Sequence, residues 1–208
     1  MSAAGPLQNR VDPHGELFAT AGRGALMGNR GGRFHRPDRT LGRRRWASKQ
    51  WIACLLAFKG RRRAVWGDGY TELFFSDEVA ALAAGHRPCF ECRRAEAEAF
   101  RSAFGEGASA PQMDAVLHRE RLDRGAKRLW DLPFERLPDG AMIERDGRAF
   151  AVRGGAILPW SFGGYGAPQS RPRAGLARVL TPPSIVRALA AGYAPRWPEA
   201  GRAGGACA

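Results

Sequence analysis

Cys89 and Cys92 stand three residues apart in the stretch FFSDEVAALAAGHRPCFECRR, residues 74–94. Two thiolates at this spacing can share one tetrahedral Zn²⁺ at about 2.3 Å each, because the two intervening residues bend the chain around the ion. Such a pair is half of a site, and the other donors must come from elsewhere in the chain. The spacing is also that of redox pairs, but those open a helix that follows a strand. Here an Ala-rich helix precedes the pair, which favours metal over redox chemistry and over two ordinary thiols. The remaining soft and nitrogen donors are Cys54, Cys207 in the terminal GRAGGACA, and His14, His35, His86 and His118. So few cysteines do not make a disulfide framework.

The charge points to a polyanionic partner. The formal net charge is +13, and residues 1–63 hold 14 Lys or Arg against Asp12, Glu16 and Asp38, so most of the excess lies in the first third. That concentration is an electrostatic footprint for nucleic acid, DNA above all, although Arg-rich runs also occur as solvated loops. The tryptophans and tyrosine at 46, 51, 66 and 70 interleave with Arg43, Arg44, Arg45, Lys49, Arg61, Arg62 and Arg63, and Arg93 and Arg94 follow the cysteine pair. Cations for phosphates and rings for bases are the materials of single-strand or flipped-base recognition. The alternative is that the rings are core and the arginines its rim. No apolar run approaches the roughly 18 residues of a membrane span, and the N-terminus has no apolar signal core. A cytoplasmic protein without a membrane partner is expected; its oligomeric state is open.

The elements that must position these residues read as α+β. Residues 1–20, with Pro6, Pro13 and Gly15, read as an irregular leader. GALMGNRGGRFHRPD (24–38) reads as a β-hairpin turning on Asn29 to Gly32. The run WIACLLAF (51–58) is a strand or buried element carrying Cys54. A second hairpin is predicted from Lys59 to Phe75, closing on YTELFF. Ser76 is the predicted cap of a short helix with Asp77 and Glu78 in its first turn and Gly85 at its stop. RRAEAEAFRSAF is a helix with Phe100 and Phe104 on one face, and GEGASAPQ separates two lobes. Beyond it come a charged helix, a meander of three short strands (AMIE, RAFAV, AILPW), an irregular Gly/Pro/Ser-rich loop and a last helix, SIVRALAAG. The predicted organisation is a leader at 1–20, a zinc module of β-hairpins and short helices at 21–105, an α+β lobe with a small antiparallel meander at 112–198, and a flexible tail at 199–208.

Residues 74–94, in particular Ala83, Ala84, Gly85, Arg87, Pro88, Cys89 and Cys92, resemble the Ada-type metal-binding domain of alkylation-repair proteins and the Ada-like zinc modules attached to some nucleases. In that family an aromatic strand and a helix of the form EEAxAAG lead into RPCxxC. Gly28, Asn29 and FHRPD (34–38) look like the GN turn and HRPDC element of the nuclease-associated branch, with Arg39 where a cysteine ligand is expected. The resemblance covers residues 25–94 and implies a Zn²⁺ held by His35, Cys54, Cys89 and Cys92, with Cys54 replacing the ligand lost at Arg39. His86 is the competing nitrogen donor. A closed Cys₃His set of this kind is structural. In Ada one zinc-bound thiolate accepts a methyl group from a DNA phosphotriester, and the same role for Cys54 is the enzymatic alternative.

Other chemistry is sparse. Glu72, Asp77 and Glu78 can be read as a nuclease-type carboxylate set, but the last two already have a role at a helix start. Trp160, Phe162 and Tyr165 either line a ligand pocket or plug the end of a sheet. No phosphate-loop, dinucleotide or GxSxG motif is present. The sequence therefore predicts a zinc protein that binds nucleic acid through a basic surface, in DNA repair or processing. An alkyl-transfer or nuclease enzyme, and a metal-stabilised protein-interaction module, are the alternatives.

Overall fold

The computed structural model describes residues 5–61 and 64–198. The predicted tail at 199–208, Cys207 within it, and Arg62 and Arg63 lie outside the described residues. In chain order the elements are β1 (Gln8–Val11), β2 (Leu17–Ala19), β3 (Leu26–Arg30), β4 (Trp51–Cys54), β5 (Leu73–Phe75), α1 (Glu78–Ala83), β6 (Arg87–Pro88), α2 (Arg94–Phe104) and α3 (Ala110–Arg121). There follow β7 (Leu122–Asp123), β8 (Ala126–Lys127), β9 (Trp130–Pro133), β10 (Met142–Arg145), β11 (Arg148–Arg153), β12 (Ala156–Ser161), β13 (Gly164–Tyr165), β14 (Gln169–Ser170), β15 (Leu176–Val179) and α4 (Pro183–Ala190). The fold is α+β. One sheet runs β2-β1-β5-β3-β4-β6; a second, antiparallel, runs β13-β12-β11-β10-β15-β9 with β14 also on β12; β7 and β8 pair alone.

The N-terminal segment departs from its expected irregularity. Residues 8–19 form the β1–β2 hairpin, and β1 adds to the first sheet by a parallel pairing of Arg10 with Phe74. Neither predicted hairpin forms as drawn. Gly28 and Asn29 lie within β3 instead of at a turn, and β3 pairs with β4 and β5 on its two sides. A Cβ on Gly28 would sit 2.3 Å from Ile52 O and 2.7 Å from the Phe75 ring. Glycine is thus demanded by close packing across the sheet, which a single-sequence reading takes for a turn signal. Residues 59–72 contribute no strand of their own among the described residues, and YTELFF yields the three-residue β5.

α1 starts one residue later than the sequence suggests. Asp77, in extended backbone, accepts from Ala80 N at 2.7 Å, while the Ser76 hydroxyl donates to the Asp77 carboxylate at 3.0 Å. At the other end Gly85 has φ +86°, its N–H reaches Leu82 O at 2.9 Å, and His86 N–H reaches Ala81 O at 2.9 Å. These two bonds form a Schellman termination, which places a left-handed residue after the helix. All six residues of α1 are buried, and four of them, with the cap residue Ala84, divide among three clusters. Ala81 and Ala84 pack with Val11, Leu73 and Phe75; Leu82 with Phe100, Met113, Leu117 and Ile185; Val79 and Ala83 with Met142, Ala151 and Leu180. Segments 21–105 and 112–198 therefore share core around this helix. The Trp160 indole donates to Ser76 Oγ at 3.0 Å and packs on Phe162, which meets Phe18 of β2, so these rings join the two sheets. The Gly/Pro/Ser-rich loop supplies β13 and β14, which the sequence reading missed.

The edge strand β6 is held from outside its sheet. Arg87 donates from Nε and Nη2 to the two carboxylate oxygens of Asp114 in α3, at 2.9 and 2.8 Å, with side-chain exposures of 2% and 8%. Forked charge-assisted pairs of this sort are strong when both partners are present and costly when one is removed. Asp114→Ala is expected to destabilise the protein by about 3–5 kcal/mol in urea unfolding, through the uncompensated Arg87 charge. The double substitution Arg87→Met with Asp114→Leu is expected to cost much less than the single one, and equal costs would refute this account.

Candidate metal centre

Cys54 ends β4, and β4 runs parallel to β6 with Ile52 beside Arg87 and Ala53 beside Pro88. That register continues by one residue on each strand and brings Cys54 next to Cys89, whose N–H donates to Ala53 O at 3.0 Å. The turn after Cys89 carries Cys92 back to the pair. The three sulfurs lie within 4.8 Å of one another. Around one Zn²⁺ with sulfur bonds of about 2.3 Å, tetrahedral sulfurs stand ~3.8 Å apart, so the three need to contract by only about 1 Å at most.

The surroundings favour charge on sulfur. Leu55 N–H donates to Cys92 Sγ and Glu91 N–H to Cys89 Sγ, each at 3.4 Å. The contact with Cys54 and the backbone N–H groups of Cys92 and Glu91 hold the Cys89 thiol down at about 5. The same contact with Cys89, joined by burial, pushes Cys54 far up, and burial also raises Cys92. Three crowded sulfurs thus accommodate one negative charge readily and resist three. A divalent cation removes that conflict, since a metal-bound thiol is deprotonated. The donor set, all thiol, suits Zn²⁺ and other thiophilic ions.

His35 does not join the cysteines. Its Nδ1 lies 2.8 Å from Thr71 Oγ1, its Nε2 lies 3.0 Å from Gly67 O, and its ring stacks on Trp66 at 5.4 Å. The predicted Cys₃His set is therefore corrected to Cys54, Cys89 and Cys92, with His35 fixing the loop at 66–71 through its ring. His86 is not the fourth donor either: it is wholly buried between Trp51 and Phe75, with Nε2 taking Arg30 Nε–H at 3.3 Å. Arg39, at the position where the resemblance expects a cysteine, donates to Val65 O at 3.2 Å. Among the described residues no fourth His, Cys, Asp or Glu completes the cluster.

All three cysteines instead line a cavity of about 470 Å³. Its other walls include Phe58, Tyr70, Phe74 and Asn29, with Glu72 and Glu91 supplying carboxylates and Arg61 a cation. Sequence reasoning missed Asn29, Phe58 and Phe74 here, because residues scattered over 29–74 carry no motif. Glu72 accepts from Trp66 N–H at 2.8 Å, Asp77 caps α1, and Glu78 pairs with Arg93 at 2.7 Å and with Tyr193 Oη at 2.5 Å. Each predicted nuclease carboxylate thus has a structural partner.

The cationic residues separate into two populations. Arg43, Arg44, Lys49, Arg61 and Arg94 are exposed and Arg45 is half-buried. Arg93 is buried against Glu78 and offers no surface to a nucleic acid, which corrects its expected role. Trp51 and Trp66 are core, whereas Trp46 and Tyr70 are half-buried.

Zinc measured on purified protein is expected at one equivalent per chain. It is expected to be lost in Cys54→Ser, Cys89→Ser and Cys92→Ser and kept in His35→Ala and His86→Ala; loss in His35→Ala alone would restore the Cys₃His set. No family model, curated protein or solved structure matches the chain, and the site is therefore defined by its own geometry.

Proposed function

We propose that this is a zinc protein of nucleic-acid repair or processing, in which Cys54, Cys89 and Cys92 hold the ion and leave one coordination position toward the cavity. The observation that carries the reading is the placement of all three sulfurs on the wall of one cavity, with no fourth protein donor in their cluster among the described residues. Closed four-ligand sites fasten folds, whereas three protein ligands leave room for water or substrate. The resemblance of residues 25–94 to Ada-type zinc modules and the exposed cations at Arg43, Arg44, Lys49, Arg61 and Arg94 support nucleic acid as the partner.

A second reading, alkyl transfer, is favoured by the position of Cys54. The sequence places it among Ala53, Leu55 and Leu56, as if facing a core, but its side chain lines the cavity together with Cys89 and Cys92. When bound there, zinc keeps thiol sulfur deprotonated and nucleophilic at neutral pH. The sulfur attacks the alkyl carbon of a phosphotriester, an S–C bond forms, the C–O bond breaks, and the phosphodiester anion leaves with the electron pair. Phe58, Tyr70 and Phe74 present apolar surface to the incoming group, and Arg61, paired with Glu91 at 2.6 Å, is the cation on the same wall.

Three measurements test these readings. In the Co²⁺-substituted protein, visible spectra are expected to report tetrahedral thiolate coordination and to shift when a small exogenous thiol or imidazole is added; an unresponsive spectrum would mean a closed site. Binding to single-stranded DNA is expected to weaken steeply between about 50 and 200 mM salt, with Arg43→Ala plus Arg44→Ala lowering the slope of log K against log salt by about 1.4. A slope near zero in the wild type would remove nucleic acid as the partner. For alkyl transfer, mass spectrometry after exposure to methyl-phosphotriester DNA is expected to find one added methyl group, absent in Cys54→Ser; methylation elsewhere or none at all would discard that step.

A further inference from the structure

On the opposite side of β4 from the sulfur cluster, three cations line one recess beside Trp51, and among the described residues no carboxylate forms a direct ion pair with any of them. The guanidinium carbons of Arg30 and Arg121 each lie 3.9 Å from the Trp51 ring centroid, and both side chains are about 1% exposed. Lys127 of β8 is half-buried beside them. Their partners are neutral. Arg30 donates to Gly15 O at 2.8 Å, Arg45 O at 3.2 Å and His86 Nε2 at 3.3 Å; Arg121 donates to Lys49 O at 2.6 Å and Gly85 O at 2.9 Å; Lys127 donates to Ala83 O. Arg121 Nε, buried, has no partner among the described residues. None of the ion pairs among those residues includes any of the three, although the other two deeply buried arginines, Arg87 and Arg93, both have carboxylates.

Arg30, Arg121 and Lys127 line a recess of about 20 Å³, with Arg45, His14 and Glu16 also on its walls. That volume holds one water-sized group, the size of a single oxyanion oxygen. Burial of unpaired charge is costly, and here it lowers Arg30 to about 9, Arg121 to about 8 and Lys127 to about 7, with mutual repulsion adding to desolvation in Arg121 and Lys127. Carboxylates offset part of this without pairing directly among the described residues: exposed Glu16, on the recess wall, and buried Asp12 raise Arg30, Asp12 also raises Lys127, and Asp114 raises Arg121. Two guanidiniums and an ammonium on the wall of one recess supply the donor types that bind oxyanions.

We propose that Arg30, Arg121 and Lys127 form a binding site for a phosphate group, one oxygen of which enters the recess. The site does not depend on the cysteine centre and stands whether or not zinc is bound there. The phosphate can belong to a polynucleotide end or to a free oxyanion, and the chemistry of recognition is the same.

The test uses the whole protein at fixed pH and ionic strength. Inorganic phosphate is expected to raise the melting temperature saturably, as a ligand bound to the folded state must, while chloride of matched ionic strength does not. Lys127→Met, a substitution at the half-buried rim, is expected to weaken phosphate binding at least tenfold, as is Arg121→Gln; Arg43→Ala plus Arg44→Ala, on the exposed connector, leaves it unchanged. Should Arg121→Gln fail to fold, Lys127→Met decides, with phosphorus NMR line broadening on the wild type as an independent readout. A 5′-phosphorylated oligonucleotide that displaces phosphate better than its 5′-hydroxyl counterpart assigns the site to polynucleotide ends, and equal displacement assigns it to a free oxyanion. Phosphate acting no better than chloride, or binding Lys127→Met as tightly as the wild type, overturns the proposal.

Discussion

Burying a six-residue helix on every side imposes the constraint from which much of this structure follows. A helix as short as α1 does not hold itself together, and both of its ends carry backbone groups that cannot reach water. Its N-terminus is satisfied by Asp77, with Glu78 in the first turn tied to Arg93, Tyr193 and the backbone of Arg196. Its C-terminal carbonyls are met by the Schellman bonds at Gly85 and His86 and by cations that must themselves be buried: Lys127 on Ala83 O, and Arg121 on Gly85 O just beyond the helix. A Cβ on Gly85 would lie 2.7 Å from Arg121 Cδ, so the glycine serves both its left-handed backbone and the approach of that arginine. Ending α1 inside the protein thus brings Arg121 and Lys127 to the recess that they share with Arg30.

The same helix delivers the cysteines. Directly after its termination the chain enters β6, which is only two residues long and lies at the edge of its sheet. So short a strand has little pairing energy of its own, and the Arg87–Asp114 fork to α3 fixes it. Parallel pairing with β4 then sets Cys54 beside Cys89. Two distinct kinds of polar interaction therefore share responsibility for the candidate metal centre: a buried ion pair that locates the strand, and backbone donors that bear on the sulfurs. The cavity next to the sulfurs gives this arrangement a chemical use beyond fastening.

Much of the local structure was legible because it obeys short-range rules. The helix 94–104, the strands carrying AMIE, RAFAV and AILPW, and the helix opened by Pro183 all follow from periodicity and termination signals. Gly28 was misleading since glycine at a turn and glycine under a neighbouring carbonyl look alike in one sequence. β9 and β15 went unseen because four-residue strands with a proline at one end, or with an exposed leucine and a buried alanine, acquire their identity from the partner strand. His35 was credible as a ligand by type and by resemblance, and its hydrogen bonds to Thr71 and Gly67 depend on a loop more than 30 residues away.

The chain by itself determined that Cys89 and Cys92 can share a metal, that the first third is strongly basic and that the fold mixes helices with sheets. These properties reside in residue type, spacing and charge, which need no partner to be expressed. Tertiary structure alone decided that Cys54 faces a cavity, that neither histidine completes the site, and that Arg30, Arg87, Arg93 and Arg121 are interior groups instead of surface charge. The reason is that burial and coordination are properties of converging segments. A guanidinium reads the same in sequence whether it meets solvent, a carboxylate or the face of Trp51, and only the packing distinguishes them.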